Sequence, residues 1–256
     1  MIEVAPGVMV ATHAFCATTT TVVVGADGRE CLIVDPGVTS VEIDTLATEL
    51  ASRGLAVTGA FSTHPHWDHL LWRPSLGDAP RWATARGAQR AEAVQDENAR
   101  KAEGSLPGVD ASEIGRVSPL APGATALPWA ARSIRVLEHR AHAVGHAALL
   151  IEDAGVLVAG DMLSDVEPPL LDLDATDPWG DYAEAIAMFI AVAPEVSLVV
   201  PGHGEVGDHD ELVRRIMADR LYLDSLRTGA STDPRLVGAA DWLRAEHDAA
   251  VARFRT

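Results

Sequence analysis

The sequence predicts a mixed α/β fold, and three observations predict it. Short runs rich in Val, Thr and Ile alternate with stretches of helical spacing or composition along most of the chain. Their order is strands then a helix, followed by helix then strands, twice over. The chain has 256 residues, 48 % of them hydrophobic, with no tandem repeat, low-complexity tract or clear linker. That length and composition suit one domain over residues 1–256, with residues 207–256 as a C-terminal helical extension.

The elements follow in order. Residues 7–14 and 18–25 carry the Val/Thr content of strands. Ala26-Asp27-Gly28 supplies a turn, and residues 31–34 form a third strand closed by Asp35-Pro36-Gly37. Val41, Leu46 and Leu50 recur at helical spacing over 41–52, with Gly54 where a helix stops. Strand 56–61 comes next, then a short strand at 81–84 and one helix over 85–103, where Ala, Glu, Gln and Arg dominate. Residues 104–128 read as an irregular connection holding a short strand. Strands are predicted at 133–138, 147–152 and 155–159, a Pro/Asp-rich loop at 161–181, a helix at 181–192 and a buried strand at 196–200. An amphipathic helix at 208–227 and a last helix within 236–254 complete the chain.

Charge narrows the function classes. The formal net charge is -17, and Lys101 is the only lysine. Such a surface repels phosphate backbones, so no nucleic-acid partner is expected. The first six residues have neither a basic start nor an apolar core, and no apolar run is long enough to span a bilayer. A cytoplasmic chain with no membrane partner is expected, and Cys16 and Cys31 are then buried thiols rather than a disulfide. The apolar C-terminal helices offer a homodimer contact.

The chemistry concentrates in His64-Pro65-His66-Trp67-Asp68-His69, directly after strand 56–61. Three imidazoles and a carboxylate at the end of a buried strand are costly unless something satisfies them, and a metal ion does so. Alternate residues of an extended segment point the same way, so His64 and His66 can chelate one ion. Three more ligand-type residues stand in loops after strands: His142, Asp161 and His203. Each alone is an ordinary loop residue; the ordered set carries the argument.

That set, His-x-His-x-Asp-His followed by His, Asp and His, resembles the metallo-β-lactamase fold superfamily, over roughly residues 8–203. Asp35 in Val34-Asp35-Pro36-Gly37 matches the early structural aspartate of that family. The resemblance implies a four-layer αβ/βα sandwich with the site at one edge of the paired sheets. It implies that His64, His66 and His142 hold one ion, that Asp68, His69 and His203 hold another, and that Asp161 bridges them. His146 becomes a neighbour of the ligands, and Asp35 orders backbone amides beside them. His13, His139, His209 and His247 match no motif.

Two divalent ions, Zn2+ first with Fe or Mn also suited to His and Asp ligands, bring the pKa of a shared water near neutrality. The expected activity is hydrolysis of a small carbonyl substrate (a lactone, ester or thioester) by the hydroxide between the ions. Asp68 and Asp161 are the expected catalytic carboxylates, with Asp68 orienting the nucleophile and carrying its proton. The alternatives are a small-phosphodiester hydrolase and a single-iron sulfur dioxygenase. His66 replaces the Glu of flavo-diiron oxygen reductases, and true β-lactamases of this fold lack the bridging Asp161. Leu70-Leu71-Trp72 replaces a common Gly-Gly and implies an apolar substrate part. Trp72, Trp179 and Tyr182 are the expected pocket residues; loop 161–181 and helix 85–103 are the expected walls.

Overall fold

The computed structural model describes residues 1–229 and 231–255. Its first sheet runs β1 (Ile2–Ala5), β2 (Val8–Thr12), β3 (Thr19–Val24), β4 (Glu30–Val34), β5 (Ala56–Phe61), β6 (Arg81–Ala83) and β7 (Ser118–Pro119) in spatial order. The first three pairings are antiparallel and the last three parallel. The second sheet has the spatial order β12 (Gly207–Asp208), β11 (Leu198–Pro201), β10 (Val156–Gly160), β9 (His146–Ile151) and β8 (Ile134–His139).

Period-two alternation explains why the central strands read as unbroken apolar runs. In β4, Leu32 and Val34 face the second sheet, while Cys31 and Ile33 face the helices outside. In β9, Ala147, Leu149 and Ile151 face the first sheet, and Ala148 and Leu150 face outward. Both faces of each sheet are therefore dry, so neither face of these strands carries a polar stripe. Helix α1 (Ser40–Ser52) covers the first sheet with Ile43, Leu46 and Leu50, joined by Ala91 and Ala102 of α2 (Ala85–Ala93) and α3 (Gln95–Ser105). Helices α4 (Pro178–Val192) and α5 (His209–Thr228) cover the second sheet with Ile186, Phe189, Leu212 and Ile216. Helix α6 (Asp241–Phe254) packs on this outer layer through Ala250. The four layers are those of an αβ/βα sandwich.

Local chemistry sets the boundaries. Thr39 and Glu42 close a capping box at the start of α1, each side chain satisfying the other's backbone N–H. The stretch expected as one helix over 85–103 is two, broken at Val94 with φ -110° and ψ 15°. Helix α4 begins three residues before the expected 181, because the Asp177 carboxylate caps Gly180 N–H and Pro178 suits the first turn. A strand at Ile2–Ala5, not expected from the sequence, extends the first sheet at its edge.

The two sheets join at one end. Thr19 N–H donates to Gly202 O at 2.8 Å, and the Thr19 hydroxyl donates to Pro201 O at 2.5 Å. This stitch brings the loop after β5 next to the loops after β8, β10 and β11.

Candidate metal centre

The loop after β5 carries His64 and then His66, the latter in extended backbone, and turns through a short 3₁₀ segment, Trp67–His69. From the second sheet come His142 between β8 and β9, Asp161 after β10 and His203 after β11. The seven side chains converge. The ligand atoms of His64, His66, His142 and Asp161 lie within 4.8 Å of one another, as do those of Asp68, His69 and His203. Asp161 touches both groups. Its Oδ2 is 3.3 Å from His64 Nε2, 3.5 Å from His142 Nε2 and 3.4 Å from His203 Nε2, and its Oδ1 is 3.1 Å from His69 Nε2. Asp68 Oδ2 lies 3.3 Å from His203 Nε2 and 3.7 Å from His69 Nε2.

Outer partners aim the rings. Carbonyls and carboxylates only accept, so the imidazole nitrogen facing one must carry the proton. His142 Nδ1 donates to Leu170 O at 2.8 Å, and His203 Nδ1 to Cys16 O at 2.9 Å. His69 Nδ1 donates to Asp35 Oδ2 at 2.9 Å. His64 Nδ1 lies 3.0 Å from the Thr63 hydroxyl, whose own proton goes to Asp35 at 2.6 Å. Nε2 is then the nitrogen each of these rings turns to the centre, the arrangement that outer-shell partners impose on metal-binding histidines. Asp35 thus orders Thr63 N–H, as expected, and the ring of His69 as well.

His142 Nε2 lies 2.9 Å from His66 Nδ1, but other inward atoms lack protein partners. Among the described residues, His64 Nε2, His69 Nε2 and Asp161 Oδ1 are buried without a hydrogen bond. Leaving such groups bare is costly, and a cation satisfies nitrogen and oxygen lone pairs together. The residues therefore fit the implied metals, and the site is compatible with two ions. Glycines make room for this: a Cβ on Gly202 would lie 2.0 Å from Asp161 Oδ1, and one on Gly160 would lie 2.5 Å from His146 Nε2.

A family model described as the metallo-beta-lactamase superfamily matches residues 14–203. The chain belongs to that superfamily. Members of this superfamily are mostly metal-dependent hydrolases. Solved structures of the fold agree with the architecture. A beta-lactamase domain protein from Burkholderia ambifaria superposes with a TM-score of 0.68 at 22 % identity, covering 98 % of this chain and 86 % of its own. A metallo-beta-lactamase family protein from Thermus thermophilus gives 0.65 at 23 % identity, covering 89 % and 83 %. A protein solved in a di-iron-bound form gives 0.63 at 20 % identity, covering 81 % and 98 %. No curated protein matches the chain by sequence.

Within this superfamily member the two ligand groups differ in charge. Burial, reinforced by neighbouring imidazoles, holds His66 well below the ordinary histidine range and brings His142 to about 4. For His69 burial opposes charging, but Asp161, Asp35 and Asp68 outweigh it and raise the ring well above that range. His203 is raised in the same way by Asp161 and Asp68. Asp161 is pulled well down despite its burial by His69, His203 and His64.

A cleft of about 950 Å³ opens over the centre. Phe15, Trp67, Val94, Leu170 and Leu171 give it apolar walls, and Arg90 and Lys101 stand on the α2–α3 side. Loop 161–181 and the helices 85–105 are thus walls, as expected. The three aromatic residues expected in the pocket are not there. Trp72 is buried in the core under α1, donating to Gly77 O at 3.0 Å and stacked by Arg81. Tyr182 is buried between α4 and α5 with its hydroxyl 3.3 Å from Asp219. Trp179 packs against the same outer core, beneath the Arg227 guanidinium. Leu70 and Leu71 join Trp72 in the core, so the replacement of Gly-Gly there does not shape the cleft. Trp242 of α6, unmarked by any motif, lines it instead.

Other residues support the centre, some of them without a motif. His146 is buried, as expected for a neighbour of the ligands, and its Nε2 accepts Asp161 N–H at 3.1 Å. Its Nδ1 meets His139 Nε2 at 2.9 Å, so His139 belongs to the site's support. Asn98 of α3 donates to Pro65 O at 2.9 Å, between the two first histidines. The non-glycine residues with positive φ among the described residues are Cys16, Ala17, Asp35 and Leu163. Cys16 supplies the carbonyl that holds His203, and it is exposed on the cleft rather than buried. Both cysteines are free. No helix of the described residues is long and apolar enough to cross a membrane.

Proposed function

We propose that this chain is a dinuclear metal-dependent hydrolase of small carbonyl substrates: lactones, esters or thioesters. The observation that carries the reading is Asp161, whose two oxygens lie 3.1 to 3.5 Å from nitrogens of both ligand groups. His64, His66 and His142 would hold one divalent ion, Asp68, His69 and His203 the other, with Asp161 shared. Bound there, the ions supply Lewis acidity and a water whose pKa is near neutral. Zinc is the first candidate, with iron or manganese compatible with the same ligands.

The chain's own groups do the rest. Phe15, Val94, Leu170 and Leu171 remove an apolar substrate part from water and fix its entry to the cleft. Asp68 lines the cleft, and beside His203 it is placed to orient the attacking water and take its proton. A complete second ligand group weighs against a single-iron oxidation site, and an acidic molecule weighs against RNA.

The test is a rate screen of the purified, metal-analysed protein on lactones, thioesters, aryl esters and small phosphodiesters, with His66→Ala as control. Carbonyl turnover that needs no oxygen and collapses in the control supports the reading. Turnover of phosphodiesters alone, or persulfide-dependent oxygen uptake with one iron per chain, overturns it.

A further inference from the structure

Glu167 is a carboxylate in the cleft that no part of the proposed chemistry uses. Its side chain is only 11 % exposed, and that remainder faces the cleft. Its backbone is pinned at both ends. Its N–H donates to the Ser164 hydroxyl at 3.0 Å, and its carbonyl accepts from Arg235 Nη1 at 3.1 Å. Ser164 in turn donates to His203 O at 2.7 Å, so the backbone carrying this carboxylate is tied to the second ligand group.

No described residue donates a hydrogen bond to this carboxylate. Its nearest charged neighbour is His203 Nδ1, at 3.9 Å, and that N–H is already committed to Cys16 O at 2.9 Å. The protein walls leave the cleft as the direction from which a donor can come.

Resting on the hydrolase reading above, the geometry points to Glu167 as a specificity-determining residue that accepts a hydrogen bond from a donor nitrogen carried a few bonds from the scissile carbonyl. The substrate class is thereby narrowed to acyl compounds bearing an ammonium or an amide N–H. A rigid acceptor recognises such a group without ordering cost, and it discriminates strongly against analogues that leave it unpaired.

The test uses the metal-loaded enzyme and three aryl esters: of β-alanine (ammonium), of N-acetyl-β-alanine (amide N–H) and of butanoic acid (no donor). Glu167→Leu removes the acceptor, and Glu167→Gln keeps an acceptor without charge. Glu167→Leu is expected to lower kcat/KM for a donor-bearing ester by about tenfold or more relative to the butanoate ester. If the wild type prefers the β-alanine ester and Glu167→Gln loses that preference, the donor is an ammonium; if it prefers the N-acetyl ester and Glu167→Gln keeps a preference that Glu167→Leu abolishes, the donor is an amide. An equal loss on all three esters, or a fall in metal content, overturns the proposal and makes Glu167 a support of His203. If the wild type turns over none of the esters, the hydrolase reading fails separately. Calorimetric binding of the three corresponding acids then decides: preference for a donor-bearing acid that Glu167→Leu abolishes supports the proposal, and absence of any such preference overturns it.

Discussion

Protonation separates residues that look alike in the sequence. His66 and His142 are depressed, His142 to about 4, so both are neutral and ready to ligate at neutral pH. His69 and His203 are raised by the carboxylates around them and must lose protons when an ion arrives. As pH falls below neutrality, the ion on Asp68, His69 and His203 should leave first, before the ion that the neutral His66 and His142 help to hold. Metal retained after dialysis across a pH series checks this; simultaneous loss of both contradicts it. The same shifts act on the metal-free protein. Folded pKa values above the unfolded value of about 6.5 stabilise below that pH, and this stability is lost as pH rises through the raised values. Asp35 acts on one of these rings. Asp35→Ala should weaken the second ion by about 10- to 100-fold, read by chelator competition, because His69 loses the partner that aims it. The first ion should weaken less, because Asp35 reaches His64 only through the Thr63 hydroxyl; an unchanged second ion would contradict the assignment.

At the scale of elements, the site depends on loops held at close quarters. Gly145 precedes β9 with φ +75°, and a Cβ there would lie 2.1 Å from the backbone nitrogen of Gly87 in α2. The Thr84 hydroxyl also donates to Gly145 O at 2.6 Å. Gly145→Ala must therefore push α2 away from the loop carrying His142, against backbone that cannot yield. Chemical denaturation should show a loss of more than about 2 kcal/mol, since strain at a special φ adds to overpacking. A loss within about 0.5 kcal/mol, typical of a surface position, would refute the close approach. The strands and their terminal ligands were legible because the apolar runs are short and each is followed by a His or Asp. The break at Val94 was not, because residues on both sides share helix-favouring composition. Nor were the walls of the cleft. Trp72 is only three residues past His69, but the 3₁₀ turn sends it into the core, and Tyr182 lies on the inward face of α4. Nearness in sequence does not fix where a side chain points, and Glu167, Asn98 and Trp242 carry no motif at all.

The molecule as a whole is two sheet–helix halves meeting at the centre. His64, His66, Asp68 and His69 belong to the first half, and His142, Asp161 and His203 to the second. The superfamily and its layered fold were readable because the ordered set His-x-His-x-Asp-His, His, Asp and His resembles the family's motif. Bound ions then cross-link the halves and stabilise by linkage. An ion present at a hundred times its Kd contributes about 2.7 kcal/mol, so stripping metal should lower Tm by roughly 5–10 °C. Scanning calorimetry with and without a chelator measures this, and an unchanged Tm would mean that no ion joins the halves.

The central claim is that Asp161 unites two ligand groups around a pair of ions, and metal stoichiometry tests it most directly. Elemental analysis of the purified protein should find two divalent ions per chain, and one or none in Asp161→Ala. A wild type that binds no more than one ion under saturating metal, or an Asp161→Ala variant that keeps two, would contradict it.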